Sequence, residues 1–288
     1  MQKKLKMAKS RTAEIILSAL PYIRKFKDKI FVVKYGGSAQ IDEELKNDFA
    51  KDIVLMSMVG IRVIVVHGGG KRINHYLDRL GIKSEFKDGL RITTKESIDV
   101  VEMVLSGLIN KEITALLNEN GAKAIGLSGK DSHLLSSKPL KNGAYGFVGE
   151  INSVNKNMLD YILDGGYIPV IAPISVGENS QSYNVNADLC ASSIAKCIKA
   201  DKVIFLTDTK GVLDKNGELI STLNSDEIQN LKNDGTISGG MIPKIDACLE
   251  CVKNGVNGAH IIDGRISHSI LLEIFTDTGI GTLVKWWF

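Results

Sequence analysis

Short apolar runs alternate with segments of helical spacing along most of the chain. Runs rich in Val, Ile and Phe lie within 30–37, 61–70 and 201–212, and each ends in glycine or polar residues. Between the first two runs, 41–60 carries apolar residues at helical intervals and ends at Gly60. Repeated strand–helix units of this kind indicate a parallel sheet covered by helices on both faces. We therefore predict an α/β fold, a three-layer α/β/α sandwich around a largely parallel central sheet.

The same alternation continues through the rest of the sequence. A helix beginning near Lys71 stops at Gly81, and 93–121 is a long helical stretch with an N-cap at Thr94. The stretches 122–131, 136–155 and 158–176 predict a strand with a loop, hairpin strands, and a helix followed by a strand. The stretches 186–200, 234–255 and 257–265 predict a helix, a glycine loop that opens a helix, and a final strand. Ligands of such a sheet bind at the carboxyl ends of its strands.

The pattern divides the chain into three parts. The N-terminal segment 1–29 is basic, but its apolar run is short for a signal peptide and no small-residue cleavage site follows. We predict instead an amphipathic helix with one apolar face, formed by Ile15, Ile16, Ala19, Leu20 and Ile23. Two lobes follow, at 30–177 and 178–288, because the strand–helix pattern begins anew after Gly177.

Composition excludes several kinds of partner. The formal net charge of +3 at pH 7 is too small to indicate binding to nucleic acid. No apolar run approaches the roughly 20 residues of a membrane span, so we expect no membrane partner. Cys248 and Cys251 form a C-x-x-C pair, but no second pair and no histidine pair completes a zinc site. We interpret the four cysteines as reduced, packed residues of a cytoplasmic protein.

In the first lobe, candidate chemistry lies at two strand ends. Lys34 stands in an apolar run just before the pair Gly36 and Gly37. A lysine in such a run is costly unless it meets an anion or reaches the surface. The glycine triplet 68–70 follows the next apolar run. It forms either a simple tight turn or a turn whose backbone can approach a bound anion closely. Neither site matches the G-x-x-x-x-G-K-[ST] or G-x-G-x-x-G nucleotide motifs.

The second lobe repeats this arrangement. Polar residues 207–211 follow a strand, and the glycine loop 238–241 leads into Lys244 at the start of a helix. A helix N-terminus with a lysine and glycines forms an anion site, although a glycine loop with a surface lysine has the same pattern. Together, Lys34 and Lys244 suggest electrostatic stabilisation of a phosphoryl group in transfer. Between these two lysines in the sequence, Asp188 either caps a helix or holds them in place.

Eight short motifs together resemble the amino acid kinase family. They are KYGGS, VHGGG, DGLRIT, GLSGKD, VGEI, NVNAD, LTDTKGV and DGTISGGMIPK, in the family's order over about 30–284. The closest resemblance is to members of the arginine-biosynthetic pathway that act on N-acetyl-L-glutamate. The resemblance implies the amino acid kinase fold and transfer of the γ-phosphoryl group from MgATP to the γ-carboxylate of that substrate. Magnesium in this family is held largely by phosphates and water, so we name no metal ligand in the protein.

The resemblance also implies a role for each motif residue. Lys34 and Lys244 neutralise the phosphoryl group, and Asp188 orients them. The residues implied to contact the phosphoryl group are Gly36, Gly37 and Gly70. Those implied to bind N-acetyl-L-glutamate are Gly68, Gly69, Arg91 and Asn184. Those implied to bind the nucleotide are Thr207, Asp208, Gly211, Ser238, Gly239, Gly240 and Met241. Because an ionised carboxylate attacks, no general base is needed, and we interpret His67 as a packed strand-end residue.

The N-terminal helix suggests regulation. Family members with such a helix are arginine-inhibited hexamers, trimers of dimers joined by swapped helices. The C-terminal stretch around 264–282 resembles their arginine-binding segment. The implied effector residues are Tyr22, His268 and Glu273, although His268 and Glu273 could equally be solvated surface residues. Some relatives bind a PII-type signalling protein, which the sequence leaves open.

Rival functions remain at this point. Carbamate kinase and glutamate 5-kinase would share the nucleotide half, but Arg91 and the SYNVNAD motif favour an acylated amino dicarboxylate. A non-catalytic sensor of nucleotide and arginine would not need both lysines. A nicotinamide-dependent dehydrogenase would need the missing G-x-G-x-x-G motif.

Overall fold

The computed structural model describes residue 14 and residues 17–286. Helix α1 (Leu20–Phe26) precedes the first strand and packs its last residue into the core. This helix agrees with the amphipathic helix predicted there, whereas Ile15 and Ile16 lie outside the described residues.

The strands of five or more residues follow the predicted apolar runs, whereas most of the shorter strands were not predicted. In chain order they are β1 (Ile30–Tyr35), β2 (Arg62–His67), β3 (Glu85–Lys87), β4 (Leu90–Ile92), β5 (Ala124–Ser128), β6 (Leu135–Pro139), β7 (Gly149–Val154), β8 (Ile168–Ala172), β9 (Ile174–Val176), β10 (Ser182–Asn184), β11 (Lys202–Thr207), β12 (Thr222–Leu223), β13 (Gly258–Asp263) and β14 (Thr282–Val284).

Most helices lie within the predicted helical stretches, and two in the C-terminal part of the chain were not predicted. After α1 they are α2 (Glu43–Met58), α3 (Gly70–Arg79), α4 (Lys95–Glu102), α5 (Asn110–Glu119), α6 (Lys156–Asp164), α7 (Ala187–Ile198), α8 (Ser225–Asn233), α9 (Met241–Lys253) and α10 (Ser269–Ile274). Thr94 caps α4 by accepting the Ser97 N–H, as the sequence predicts.

A single sheet joins both predicted lobes. Its order is β12-β14-β13-β11-β1-β2-β8-β5, and only β12 and β14 run against the other strands. The central strand β1 pairs in parallel with β2 on one side and β11 on the other. The chain leaves β1 toward one side and returns on the other much later, so the carboxyl end of β1 is a topological switch point, where ligands of open α/β sheets bind.

Alternate side chains of the sheet enter two separate core layers. From β1, Phe31 and Val33 pack on one face with α2, α3, α4, α5 and α10. Val32 packs on the other face with α6, α7, α8 and α9. Because strand side chains alternate with period two, fully apolar strands fill both layers. The predicted three-layer α/β/α sandwich is confirmed.

Two further features depart from the predicted pattern. The long helix over 93–121 contains a π-helical segment, Met103–Ile109, between α4 and α5. The second is a small sheet of β10, β9, β6 and β7, in which β9 and β10 form a hairpin on either side of Gly177. The hairpin strands β6 and β7 were expected within 136–155. The single strand predicted at the end of 158–176 is divided into β8 and β9, and β10 was not predicted.

Among the residues described, no helix has the length and apolar character needed to cross a membrane.

Candidate functional site

The two predicted lysines meet at one carboxylate. Lys34 projects from β1, Lys244 lies in the first turn of α9, and Asp188 lies in the first turn of α7. Asp188 Oδ1 is 3.1 Å from Lys34 Nζ, and Asp188 Oδ2 is 2.9 Å from Lys244 Nζ. The fold therefore brings together three residues that lie up to 210 positions apart in the sequence.

This cluster carries an excess of positive charge. Burial alone raises the pKa of Asp188, but the charges of Lys34 and Lys244 outweigh burial and lower the pKa to about 2. Asp188 is therefore ionised at neutral pH, and it balances only one of the two ammonium groups. The lysine side chains are 12% and 25% exposed, so both can still reach an anion. An incoming phosphoryl group would meet two oriented positive charges in a partly desolvated site.

The first glycine turn is shaped by close neighbours. A Cβ on Gly36 would lie 2.8 Å from Lys34 Nζ, and one on Gly37 would lie 2.6 Å from Asp208 Oδ1. Gly37 also has a φ of +75°, which favours glycine. The Ser38 N–H donates to Asp208 Oδ1 at 2.8 Å. Asp208, predicted as a nucleotide residue, thus lies directly against the turn that follows β1.

The second glycine turn joins β2 to α3. Its first N–H, from Gly68, donates to the Tyr35 carbonyl at 2.8 Å and ties the turn to the end of β1. A Cβ on Gly69 would lie 2.4 Å from Ile109 Cδ1, so the π-helical segment closes one side of the turn. Gly70 is the first residue of α3 and has open space around the position of a Cβ. Within the described chain, the N–H groups of Gly69 and Gly70 meet no hydrogen-bond acceptor.

The side chain of His67, the last residue of β2, contacts this turn. Its side chain is fully buried, and burial lowers its pKa to about 4, so the ring is neutral at pH 7. His67 Nδ1 lies 3.1 Å from the Gly68 carbonyl and Nε2 lies 3.2 Å from Asn110 Nδ2. Because the carbonyl only accepts, the proton is on Nδ1 and Nε2 accepts from Asn110. The sequence interpretation of His67 as a packed residue agrees with this geometry.

A cleft of about 660 Å³ opens beside the second turn. It contains the residues that the family resemblance implies for the acceptor substrate, which are Gly68, Gly69, Arg91 and Asn184, together with Gly70, which the resemblance implies for the phosphoryl group. The fold therefore collects these residues from β2, β4 and β10 onto one surface.

Arg91 is the cation of this cleft. Its side chain stacks over Phe86 at 4.7 Å, donates from Nη2 to the Gly70 carbonyl at 3.2 Å, and also contacts Ser84. Only 7% of the residue is exposed, and burial lowers its pKa. No carboxylate of the described residues pairs with it, so its charge is available to an acidic ligand in the cleft.

Two asparagines also line this cleft. Asn184 donates from Nδ2 to Thr93 Oγ1 at 3.0 Å, which fixes the orientation of the amide. Asn186 caps α7 by accepting the N–H groups of Asp188 and Leu189 at 2.9 and 3.1 Å. The helix cap is thus Asn186, while Asp188 is left to hold the lysines.

The predicted nucleotide residues come from two segments of the second lobe. Thr207 is the last residue of β11 and Asp208 follows it, while Gly211 has a φ of +138° and lies against Thr282 of β14. The loop 238–241 is largely exposed and opens α9, with Gly239 at a φ of +53°. Lys244 follows in the same first turn, so this loop leads directly to the lysine pair.

The predicted effector residues are not all together. Tyr22 and Glu273 line one open cleft with Asp277, whose carboxylate accepts a hydrogen bond from the Tyr22 hydroxyl. Glu273 is buried and bonded to His260 at 2.6 Å, so it is not a solvated residue. His268 does not line this cleft and instead contacts Asp52 at 2.6 Å on α2.

The sequence gives little sign of several residues that support the site. Gln40, Thr93 and Asn110 all hold the predicted residues through uncharged hydrogen bonds. Gln40 and Asn110 lie outside the motifs, and Thr93 ends the motif DGLRIT without a distinctive pattern of its own, so these supporting roles become visible only in the folded structure.

Comparison with known proteins places the chain in a family. The sequence profile of the amino acid kinase family matches residues 29–263. The acetylglutamate kinase of Campylobacter hominis is 68% identical over 277 residues, 96% of this chain and 98% of that protein. The acetylglutamate kinase of Campylobacter fetus subsp. fetus is 67% identical over 275 residues, again 96% of this chain and 98% of that protein.

Solved structures agree on the fold. The N-acetylglutamate synthase from Neisseria gonorrhoeae, complexed with coenzyme A and N-acetyl-glutamate, superposes with a TM-score of 0.84 at 25% identity. The match covers 95% of this chain but only 63% of the synthase, so this chain spans less than two thirds of that protein. From the profile and the two kinases, this chain is a phosphotransferase that belongs to the amino acid kinase family and groups with the acetylglutamate kinases.

Proposed function

We propose that the protein transfers the γ-phosphoryl group of ATP to the γ-carboxylate of N-acetyl-L-glutamate, giving N-acetylglutamyl 5-phosphate and ADP. This would be the second step of arginine biosynthesis. The main support is the pair of ammonium groups, 3.1 and 2.9 Å from the two oxygens of Asp188, beside a cleft that holds Arg91. We assign the acceptor to the lobe 30–177 and the nucleotide to 178–288.

The residues of the cleft suit an acidic acceptor. The Arg91 guanidinium would pair with the α-carboxylate, and the amide of Asn184 would hold the same substrate. The free N–H groups at Gly69 and Gly70 are donors for its oxygens. The γ-carboxylate is ionised at neutral pH, so it attacks without a general base. This agrees with the structure, in which His67 is an uncharged, packed residue.

The lysine pair is placed for the transfer step. The transferring group spreads negative charge over its equatorial oxygens, and Lys34 and Lys244 approach from the two halves of the chain to neutralise it. Asp188 keeps both ammonium groups in position because each contacts a different oxygen. Magnesium bound with ATP would neutralise the nucleotide phosphates, and we name no protein ligand for it.

We also propose inhibition by L-arginine in a cytoplasmic hexamer. The support is that Tyr22, on the helix before the first strand, shares a cleft with the buried carboxylate of Glu273 and with Asp277. Carboxylates are the natural partners of a guanidinium group. The position of His268 against α2 gives this residue no direct part in that cleft.

The test of the proposed reaction is acceptor-dependent release of ADP. With MgATP, the purified protein should release ADP rapidly with N-acetyl-L-glutamate, and at least tenfold more slowly with L-glutamate or carbamate. Faster release with L-glutamate or carbamate would assign the protein to a different acceptor. No release with any acceptor would favour a nucleotide sensor.

A further inference from the structure

Gln40 lies between the two glycine turns of the site. It ends the short 3-10 segment Gly37–Gln40 that follows β1, and its side chain is half-buried. Its Nε2 donates to the Tyr35 carbonyl at 3.2 Å and to the Gly68 carbonyl at 3.1 Å. Both acceptors are carbonyl oxygens, so only the amide nitrogen of this side chain can satisfy them, and both of its hydrogens are used.

These bonds fix the orientation of one peptide group. The Gly68 carbonyl accepts from Gln40 Nε2 and lies 3.1 Å from His67 Nδ1, while the Gly68 N–H donates to the Tyr35 carbonyl. In a trans peptide the N–H points away from the preceding carbonyl. Holding the Gly68 carbonyl toward Gln40 therefore directs the Gly69 N–H away from Gln40, and this N–H meets no acceptor in the described chain.

The same short segment is tied to both halves of the site. The ammonium group of Lys71, a residue in the first turn of α3, donates to Ser38 Oγ at 3.4 Å. The Ser38 N–H donates to Asp208 of the second lobe. Gln40 thus belongs to a segment that sets where the first glycine turn lies relative to the second. Reacting groups held in the wrong relative position by about 1 Å lose up to 100-fold in rate.

We propose that Gln40 is a positioning residue for phosphoryl transfer. Through its two amide hydrogens it locks the turn at 68–70 against the turn at 36–37, so that the free N–H groups of the acceptor turn face the substrate. This proposal rests on the proposed function, because it takes 68–70 as the acceptor turn.

The test removes the two donors while keeping the size of the side chain. Gln40→Met has no donor, and Gln40→Glu has the same shape but, when ionised, presents only acceptors to two carbonyl oxygens. We expect kcat to fall about tenfold and KM for the acceptor to rise about fivefold in both variants. KM for ATP should stay within about twofold of the wild-type value. A matched control is Gln229→Glu, on the exposed face of α8, where the side chain bonds only Asn233.

The split between the two KM values separates positioning from folding. Loss of folded protein lowers the rate without changing KM for one substrate alone, and a thermal melt of each variant measures that loss directly. Unchanged KM for the acceptor in Gln40→Glu, or an equal rise for acceptor and ATP, would overturn the proposal. If the wild type used another acceptor, the proposed function would fail, and the Gln40 variants would be measured with that acceptor instead.

Discussion

At the residue scale, one carboxylate organises the site. Asp188 takes Lys34 on one oxygen and Lys244 on the other, and its low pKa keeps it ionised across the neutral range. The sequence indicated both lysines because a charge in an apolar strand and a lysine after a glycine loop are unusual. It left the role of Asp188 open between a cap and an ion pair, which the Asn186 cap resolves.

The two kinds of cation in the site should give different kinetic defects. Lys34→Ala and Lys244→Ala remove charge that acts on the transferring group, so we expect kcat to fall by about 100-fold with KM changed little. Arg91→Ala removes a partner of the bound acceptor, so KM for N-acetyl-L-glutamate should rise at least tenfold. Steady-state kinetics in both substrates measures this. An unchanged KM in Arg91→Ala would remove Arg91 from the acceptor site.

A second residue-scale prediction concerns pH and stability. Burial raises the pKa of Asp52 from 3.8 to about 6, although the contact with His268 opposes the rise. The folded protein therefore binds this proton more tightly than the unfolded chain. The stabilisation is complete below pH 4 and is lost as the pH rises through 6.

Urea unfolding at two pH values tests this sign. Between pH 5 and pH 7.5 this group should lower the free energy of unfolding by about 1 kcal/mol. Asp52→Asn should remove that part of the pH dependence. Asp164→Asn, whose side chain is 69% exposed on α6, is the control and should keep it. A steeper pH dependence in Asp52→Asn would contradict the assignment.

At the element scale, regular strands and helices were predictable and their irregularities were not. Continuous apolar runs specify β1 and β2, and apolar residues at helical intervals specify α2, each within a few residues. The π-helical segment Met103–Ile109 has the same apolar spacing as an α-helix, so its wider turn is invisible in sequence. That segment nevertheless packs on Gly69 and shapes the acceptor turn.

The start of α7 gives an element-scale prediction. Asn186→Ala removes the cap that accepts two N–H groups of the first turn, so we expect a loss of about 1 kcal/mol in stability. Because Asp188 lies in that turn, we also expect at least a fivefold fall in kcat. Asn155→Ala removes the corresponding cap of α6, far from the lysines in sequence. It should cost similar stability without a fall in kcat. Equal kinetic loss in both variants would show that the cap acts only through stability.

At the scale of the whole molecule, one sheet joins the two proposed lobes at β1. Lys34 on β1 can therefore meet Lys244 and the acceptor turn at once. The sequence predicted this architecture because parallel strands with alternating helices have few topologies. It could not place the C-terminal residues: Glu273 reaches the Tyr22 cleft, whereas His268 faces α2, and only tertiary packing decides between these positions.

Assembly gives the prediction at this scale. Deleting residues 1–27 removes α1 and Tyr22, so we expect the proposed hexamer to become a dimer and the proposed arginine inhibition to weaken at least tenfold. Sedimentation velocity measures the first effect, and inhibition curves measure the second. A full-length protein that sediments as a dimer would refute the assembly, and unchanged inhibition after deletion would remove Tyr22 from the effector site.

The most direct measurement of the central claim is capture of the acyl phosphate. With MgATP, N-acetyl-L-glutamate and hydroxylamine, the wild-type protein should form the acyl hydroxamate at the rate of ADP release. Lys34→Ala and Lys244→Ala should each reduce both rates together. ADP release without hydroxamate would show that phosphate does not reach the γ-carboxylate, and that result would contradict the account.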